Sequence, residues 1–214
     1  MWNLFGKYFT KVNQTENLPI KKVAILGYSD AVENDELYTS VVSVSKMLAL
    51  DGFTVVDGGG PGVMRAATVG AKEGEGKVIG VTWYPENLDH FEGRDPKNLF
   101  DEEIKTSSYL ERTLTLLEQG QVYVVFNGGT GTISEFGMAW GLARLYFGHH
   151  KPLILYGKFW EEVLEAFKKN MKLRPEDLKV YKIVETPEEV LKAIKDFEIE
   201  LESGEKPEVK ATTV

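Results

Sequence analysis

The sequence predicts a single α/β domain with a doubly wound, Rossmann-like parallel sheet in a three-layer α/β/α arrangement. Three observations predict it. Short β-branched runs alternate with longer amphipathic stretches along the chain. Several of the short runs are almost continuously apolar, as in parallel strands covered on both faces, and two of them end in glycine-rich turns. The 214 residues also suit one domain with a buried core.

The first half of the chain predicts three strands and two helices. The run KKVAILGYS has strand composition, and the stretch after it carries apolar residues at helical spacing until Gly52 ends it. Pro61 suits the first turn of the second helix. Residues 85–107 are polar and are predicted to be irregular. Strands are predicted over 21–29, 53–60 and 77–83, with helices over 33–52 and 61–74.

The second half continues the alternation. YLERTLTLLEQG and TISEFGMAWGLARLYFG have helical spacing, and the apolar runs QVYVVF and KPLILYG have the composition of buried strands. Strands are predicted over 121–126, 151–157 and 180–185, with helices over 109–120, 132–148, 159–171 and 187–201.

The ends of the chain differ from the domain between them. We predict an N-terminal arm over 1–20, a Rossmann-like nucleotide-binding domain over 21–200 and a disordered acidic tail over 201–214. The arm carries aromatic residues at helical spacing, and packing on its own domain or on a neighbouring subunit is favoured over membrane contact. No run is long and apolar enough to span a bilayer or to form a signal peptide, so a cytoplasmic protein is expected.

Composition excludes several kinds of site. The net charge is −8, and residues 185–214 contribute nine acidic residues against four lysines, so no basic face for nucleic acid is expected. Cysteine is absent, which excludes disulfides and thiolate chemistry. His90 and the pair His149–His150 have poor spacing for a metal and are predicted to lie at the surface. No lysine stands out as a Schiff-base site, which disfavours a pyridoxal-phosphate decarboxylase.

Two glycine runs mark the candidate site. The runs at 58–62 and 128–131 each follow a predicted strand, and ligands of doubly wound sheets bind where strands end. Neither run completes the dinucleotide pattern G-x-G-x-x-G, and the P-loop pattern is absent. Backbone amides of such a loop, together with the start of the next helix, can still hold a phosphate.

Thr132 and Glu135 have an ordinary explanation as well as a functional one. The segment Thr132-Ile133-Ser134-Glu135 fits a capping box, in which threonine and glutamate satisfy the first amides of a helix. Alternatively, Glu135 lies beside a bound ligand. The residues alone leave both explanations open.

The two glycine runs resemble those of a known family. GGTGTISE at 128–135 is similar to the PGGxGTxxE signature of the LOG (Lonely Guy) family, often misannotated as lysine decarboxylases, and GGGPGVMRAA at 58–67 is similar to the family's first glycine run. The order of the two motifs also matches, with YLERT between them, and the resemblance covers roughly 21–185. Molybdenum cofactor carriers share the same fold.

The resemblance implies a cytoplasmic homodimer, or higher homo-oligomer, that hydrolyses a nucleoside 5′-monophosphate to a base and ribose 5-phosphate. Arg112 and Glu135 would be the catalytic pair, with Glu135 stabilising the oxocarbenium-like sugar. No metal or cofactor and no nucleic-acid or membrane partner is expected. The resemblance implies ligand or phosphate binding by Ser29, Gly58, Gly59, Gly60, Met64, Gly128, Gly129, Thr130, Gly131 and Thr132.

The chain departs from the family pattern at three positions. Asn127 replaces the proline of PGG, while Tyr109 and Thr113 replace the methionine and lysine of M-x-x-R-K. Loss of the lysine is expected to remove a positive charge near the site. The alternative function is therefore a carrier that binds a nucleotide or molybdenum cofactor with the same loops and does not hydrolyse it.

Overall fold

The computed structural model describes residues 19–85 and 93–203. All seven strands are parallel and form one sheet in the order β4-β3-β2-β1-β5-β6-β7, which confirms the predicted Rossmann-like class. The strands are β1 Lys22–Leu26, β2 Thr54–Asp57, β3 Val78–Trp83, β4 Glu102–Thr106, β5 Val122–Val125, β6 Leu153–Tyr156 and β7 Tyr181–Val184. The helices are α1 Glu36–Leu50, α2 Val63–Glu73, α3 Tyr109–Gln119, α4 Thr130–Leu145, α5 Phe159–Asn170 and α6 Pro187–Glu202, with a 3₁₀ turn at Pro175–Leu178.

Helices cover both faces of the sheet. One core lies under α1, α2 and α6, and includes Val41, Ala67 and Ile194. The other lies under α3, α4 and α5, and includes Leu116 and Trp160. Strand residues alternate between the two cores, which explains why the central strands are apolar on both faces.

Strand β4 corrects the prediction that 85–107 is irregular. It pairs with β3 from Ile79 opposite Glu102 to Trp83 opposite Thr106. Its sequence, EEIKT, is charged because β4 is the edge of the sheet and no residue of it is fully buried. An apolar pattern therefore could not reveal this strand.

His150 also differs from the prediction. It is 8% exposed, where a surface position was expected, because its ring stacks on Phe147 and meets the edge of Phe197. Burial lowers the pKa of His150 to about 4, so the ring is neutral at physiological pH. His149 is exposed as predicted. Residues 1–18 of the predicted arm, residues 204–214 of the predicted tail and His90 lie outside the described residues.

Within 19–85 and 93–203, no helix has the length and apolar character needed to cross a membrane.

Candidate functional site

A cavity of about 590 Å³ opens at the carboxyl end of the sheet. Strand β1 has β2 on one side and β5 on the other, so the chain leaves β1 and β5 in opposite directions. This is the topological switch point, where the loops of a doubly wound sheet separate and leave room for a ligand. The loop after β1, the start of α3 and the start of α4 form the walls of the cavity.

The first turn of α4 lies at the cavity wall without a side-chain cap. The N-cap residue is Gly129, and the first intrahelical bond runs from the Ile133 amide to its carbonyl at 3.0 Å. The amides of Thr130, Gly131 and Thr132 therefore have no acceptor within the helix. With the positive end of the helix dipole behind them, they can hold an anion in the cavity.

The capping-box explanation of Thr132 is wrong in this structure. The helix begins two residues before Thr132, which is 5% exposed and packs against Gly128. A Cβ on Gly128 would lie 2.1 Å from the Thr132 hydroxyl oxygen, so position 128 requires glycine. Glu135 consequently lies in the second turn of α4, facing the cavity.

Arg112 joins the first glycine run to α4. Its Nε and Nη2 donate to the Gly58 carbonyl at 3.2 and 3.0 Å, and its Nη1 lies 3.5 Å from Oε1 of Glu135. Nη2 also lies 3.3 Å from the Met64 sulfur. Arg112 is 5% exposed, and a Cβ on Gly58 would lie only 1.7 Å from Nη2. Position 58 is glycine because the guanidinium fills that space.

Glu135 and Arg112 form a buried ion pair at the cavity. Glu135 is 7% exposed. Burial raises the pKa of Glu135, and the neighbouring charge of Arg112 offsets part of that rise. The carboxyl group therefore faces the Arg112 guanidinium.

The backbone of the first glycine run is fixed by hydrogen bonds with other segments of the chain. The Gly59 amide donates to Oδ1 of Asp57 at 2.7 Å, and its carbonyl accepts from the Asp95 amide at 2.9 Å and from the Asn98 side chain at 2.8 Å. The Gly60 carbonyl also accepts from Asn98. These backbone groups form hydrogen bonds within the protein, and the glycine run they fix positions Arg112 through the Gly58 carbonyl.

Asp57, the last residue of β2, is a fully buried carboxyl group next to the first glycine run. It accepts from the Gly59 amide and, at 2.9 Å, from the Thr68 hydroxyl. Burial raises the pKa of Asp57 to about 7, against the opposing effects of these two hydrogen bonds and the charge of Arg112.

Replacing Asp57 with asparagine is expected to remove a pH dependence of stability. The pKa is about 7 in the folded protein and about 4 in the unfolded chain, so between these values only the folded state holds the proton. Wild-type stability therefore falls as pH rises through this window, by at most about 1.4 kcal/mol per pH unit from this group. Urea unfolding at pH about 5 and about 8 checks this. Parallel pH profiles for wild type and Asp57→Asn would contradict it.

The structure brings most of the predicted residues to one cavity. The lining contains Ser29, Gly58, Met64, Arg112, Gly129, Thr130, Gly131, Thr132 and Glu135. Gly59, Gly60 and Gly128 are not among the lining residues; they shape the backbone around it.

The departures at Asn127 and Thr113 have smaller consequences than expected. The Asn127 carbonyl accepts from the Tyr28 amide at 3.0 Å, a bond that a proline carbonyl could equally accept. Thr113 is fully buried and does not line the cavity. Threonine at position 113 therefore does not remove a positive charge from the cavity lining, contrary to the expectation.

Several lining residues were not predicted. Tyr28 and Asp30 flank Ser29, Tyr109 and Leu116 come from α3, and Ser134 follows the second glycine run. The spacing of Tyr109, Arg112 and Leu116 on one helical face was the available signal. Asn98 does not line the cavity but bonds to the Gly59 and Gly60 carbonyls. The sequence does not indicate this role, because Asn98 lies in a segment without periodicity.

Known proteins show similar sequences and folds. The molybdenum cofactor binding protein of the phototrophic bacterium Rippkaea orientalis is 26% identical, with a TM-score of 0.59 over 84% of this chain and 96% of that one. The molybdenum cofactor carrier protein of Chlamydomonas reinhardtii is 21% identical, with a TM-score of 0.59 over 83% and 97%. DNA processing protein A of Helicobacter pylori, described by its single-stranded DNA binding, is 18% identical, with a TM-score of 0.52 over 86% and 85%. The last two are likenesses of fold alone.

A family model places the chain more definitely. The model described as the SLOG cluster4 family matches residues 20–189, which span the whole sheet and both glycine runs. The match supports the wider Rossmann-like grouping expected from the sequence, and it does not extend to the LOG family itself. The chain belongs to the SLOG cluster4 family.

Proposed function

We propose that the cavity binds a phosphorylated, ring-bearing small molecule, of the nucleotide or molybdenum cofactor type, and carries it without hydrolysis. The observation that carries this proposal is the uncapped first turn of α4 at the cavity wall, with Gly129 as its N-cap. Its amides at 130–132 supply the donors that a phosphate requires. The partly exposed side chains of Tyr28, Met64 and Tyr109 supply a surface for a ring.

Binding without turnover is supported by the state of Glu135. A residue that stabilises a developing positive charge on a sugar must present an ionised carboxylate to it. Here the Glu135 carboxylate is paired with Arg112 at 3.5 Å, so its charge is directed at the guanidinium and not at a sugar. The likeness to the molybdenum cofactor binding protein of Rippkaea orientalis favours the same function.

The second candidate is hydrolysis of a nucleoside 5′-monophosphate. Arg112 and Glu135 both line the cavity, which is the arrangement that the LOG resemblance implies for the catalytic pair. A ligand that drew Arg112 away would free the carboxyl group for the sugar.

One experiment separates the two functions. The protein is titrated calorimetrically with AMP and adenosine, and samples incubated with AMP, other nucleoside monophosphates and isopentenyl-AMP are chromatographed for free base. We expect AMP to bind at least about tenfold more tightly than adenosine, since each charge-assisted hydrogen bond is worth about 1.5–3 kcal/mol, and we expect no base release. Base release that Glu135→Gln abolishes would establish the hydrolase instead.

A single-stranded oligonucleotide serves as a further ligand in this titration. The charge of −8 and the absence of a basic run predict no binding. Saturable binding that weakens steeply with salt would contradict that prediction.

We also propose that the protein forms a homodimer through the outer face of α4. This face carries no charged residue between Glu135 and Arg144, and Ile133 and Leu145 are 45% and 58% exposed. A second copy presents the same uncharged surface, so the two faces are self-complementary. Gly141→Arg is expected to give monomers in sedimentation equilibrium. A Cβ at this position meets no atom within 4 Å apart from its chain neighbours and the backbone of its own helix, so the new charge would project into the interface. An unchanged mass, or a monomeric wild type, would contradict this interface.

A further inference from the structure

We propose that the Tyr109 hydroxyl is a direct phosphate ligand, which completes the anion site formed by the first-turn amides of α4. This inference rests on the proposed function, since it assigns a residue to the phosphate of the same ligand. The LOG pattern that the chain resembles has methionine at this position. The hydroxyl is therefore a feature of this chain and not of the motif.

The position of Tyr109 places its hydroxyl over the start of α4. Tyr109 is the first residue of α3, which Ser108 caps by accepting from the Glu111 amide at 3.1 Å. The hydroxyl oxygen lies 3.3 Å from Oγ of Ser134 and 3.5 Å from the point where a Cβ on Gly131 would stand. Both neighbours belong to the first turns of α4, and all three residues line the cavity.

The ring of Tyr109 is held in this orientation. Trp83, at the end of β3, meets it in an edge arrangement with centroids 6.3 Å apart and an interplanar angle of 62°. Such an edge contact favours this orientation of the ring. The hydroxyl can therefore meet a ligand without the ordering of a mobile side chain, which would lower affinity.

The Tyr109 hydroxyl makes a long contact at the start of α4, with the Ser134 hydroxyl. The Ser134 hydroxyl donates to the Gly131 carbonyl at 2.8 Å, and in this arrangement it can accept from Tyr109. At 3.3 Å this O–H···O bond is longer than usual. A phosphate oxygen at the α4 amides offers an anionic acceptor in its place, and hydrogen bonds to anions are shorter and about twice as strong.

The cavity offers a phosphate little positive charge, so a neutral donor such as the Tyr109 hydroxyl is important. Among the described lining residues the charged side chains are Asp30, Arg112 and Glu135. Arg112 is the one cation of the three, and its guanidinium already contacts the Gly58 carbonyl and Glu135. Arg112 can therefore offer a bound phosphate only part of its donor capacity, and neutral donors must supply the rest. The amides of α4 supply several, and the Tyr109 hydroxyl is a side-chain donor placed beside them.

The test compares three ligands across matched variants. Wild type, Tyr109→Phe, Tyr109→Met and the control Tyr181→Phe are titrated with AMP, inorganic phosphate and adenosine. Tyr109→Phe keeps the ring against Trp83 and removes only the hydroxyl. We expect it to weaken AMP and inorganic phosphate by about tenfold, the equivalent of about 1.4 kcal/mol, and to leave adenosine unchanged.

Tyr109→Met is expected to weaken AMP at least as much as Tyr109→Phe. Tyr181→Phe is expected to leave AMP binding within about twofold of wild type, because Tyr181 does not line the cavity and the substitution removes only a hydroxyl. Equal AMP affinity in wild type and Tyr109→Phe would overturn this inference and leave the proposed function standing. An equal loss for AMP and adenosine would make Tyr109 a packing residue. A wild type that binds neither phosphate ligand would overturn the proposed function, and the inference with it.

Discussion

Replacing Arg112 with methionine is expected to abolish ligand binding and to lower the free energy of unfolding by about 3–5 kcal/mol. The guanidinium is 5% exposed and contacts the Gly58 carbonyl, the Met64 sulfur and Glu135. Methionine would leave the carbonyl without these donors and would leave Glu135 buried without its partner. Burying an unpaired acceptor or charge is among the costliest single changes in a protein.

The loss of stability in Arg112→Met should depend on pH. Glu135 already has a raised pKa and can take up a proton when its partner is removed, so the destabilisation should be smaller at low pH and larger at high pH. Urea unfolding measures the stability, and titration with AMP measures the binding.

Arg144→Met is the matched control for this substitution. The Arg144 side chain is 31% exposed, lies 4.0 Å from Asp177 and is not among the cavity-lining residues. It should lower stability by no more than about 1 kcal/mol and leave ligand affinity unchanged. Equal effects of the two substitutions would contradict the assignment of Arg112 to the site.

Replacing Gly58 with alanine is expected to weaken AMP binding by about 10–100-fold while the fold is kept. The new Cβ would stand 1.7 Å from Arg112 Nη2 and 2.9 Å from the Met64 sulfur. Both atoms belong to flexible side chains, so they can move, and the guanidinium would leave its place at the cavity. We expect a stability loss of about 1–3 kcal/mol from this overpacking.

Gly80→Ala separates overpacking from loss of the site. A Cβ on Gly80 would lie 2.5 Å from the Phe100 ring, and Gly80 does not line the cavity. Gly80→Ala should therefore lower stability to a similar extent and retain AMP affinity. If Gly58→Ala also retained wild-type affinity, the guanidinium would not be part of the binding site.

The sequence predicts most of the fold, because period and composition report directly on burial. The apolar runs of β1 and β5 identify strands that have both faces covered, and Gly52 ends the α1 stretch where a turn with positive φ occurs. The charged edge strand β4 shows the limit of this reasoning. Its assignment depends on pairing with β3, and the segment itself carries no signal of that pairing.

The residues of the candidate site could be predicted from the sequence where a local motif marks them, but not where distant segments meet. The glycine runs, Arg112 and Glu135 could be assigned from spacing and resemblance. The start of α4 could not, because TISE fits a cap at Thr132 equally well, and only the packing of Thr132 on Gly128 decides between them. Asp57 and Asn98 act through the glycine backbone across the sheet, so their roles depend on tertiary contacts.

The most direct test of the central claim is a crystal structure of the protein with AMP, grown without phosphate or sulfate. We expect intact AMP, with its phosphate within hydrogen-bond distance of the amides of Thr130, Gly131 and Thr132 and of the Tyr109 hydroxyl. Phosphate density elsewhere in the cavity, or ribose 5-phosphate and free base in place of AMP, would contradict it.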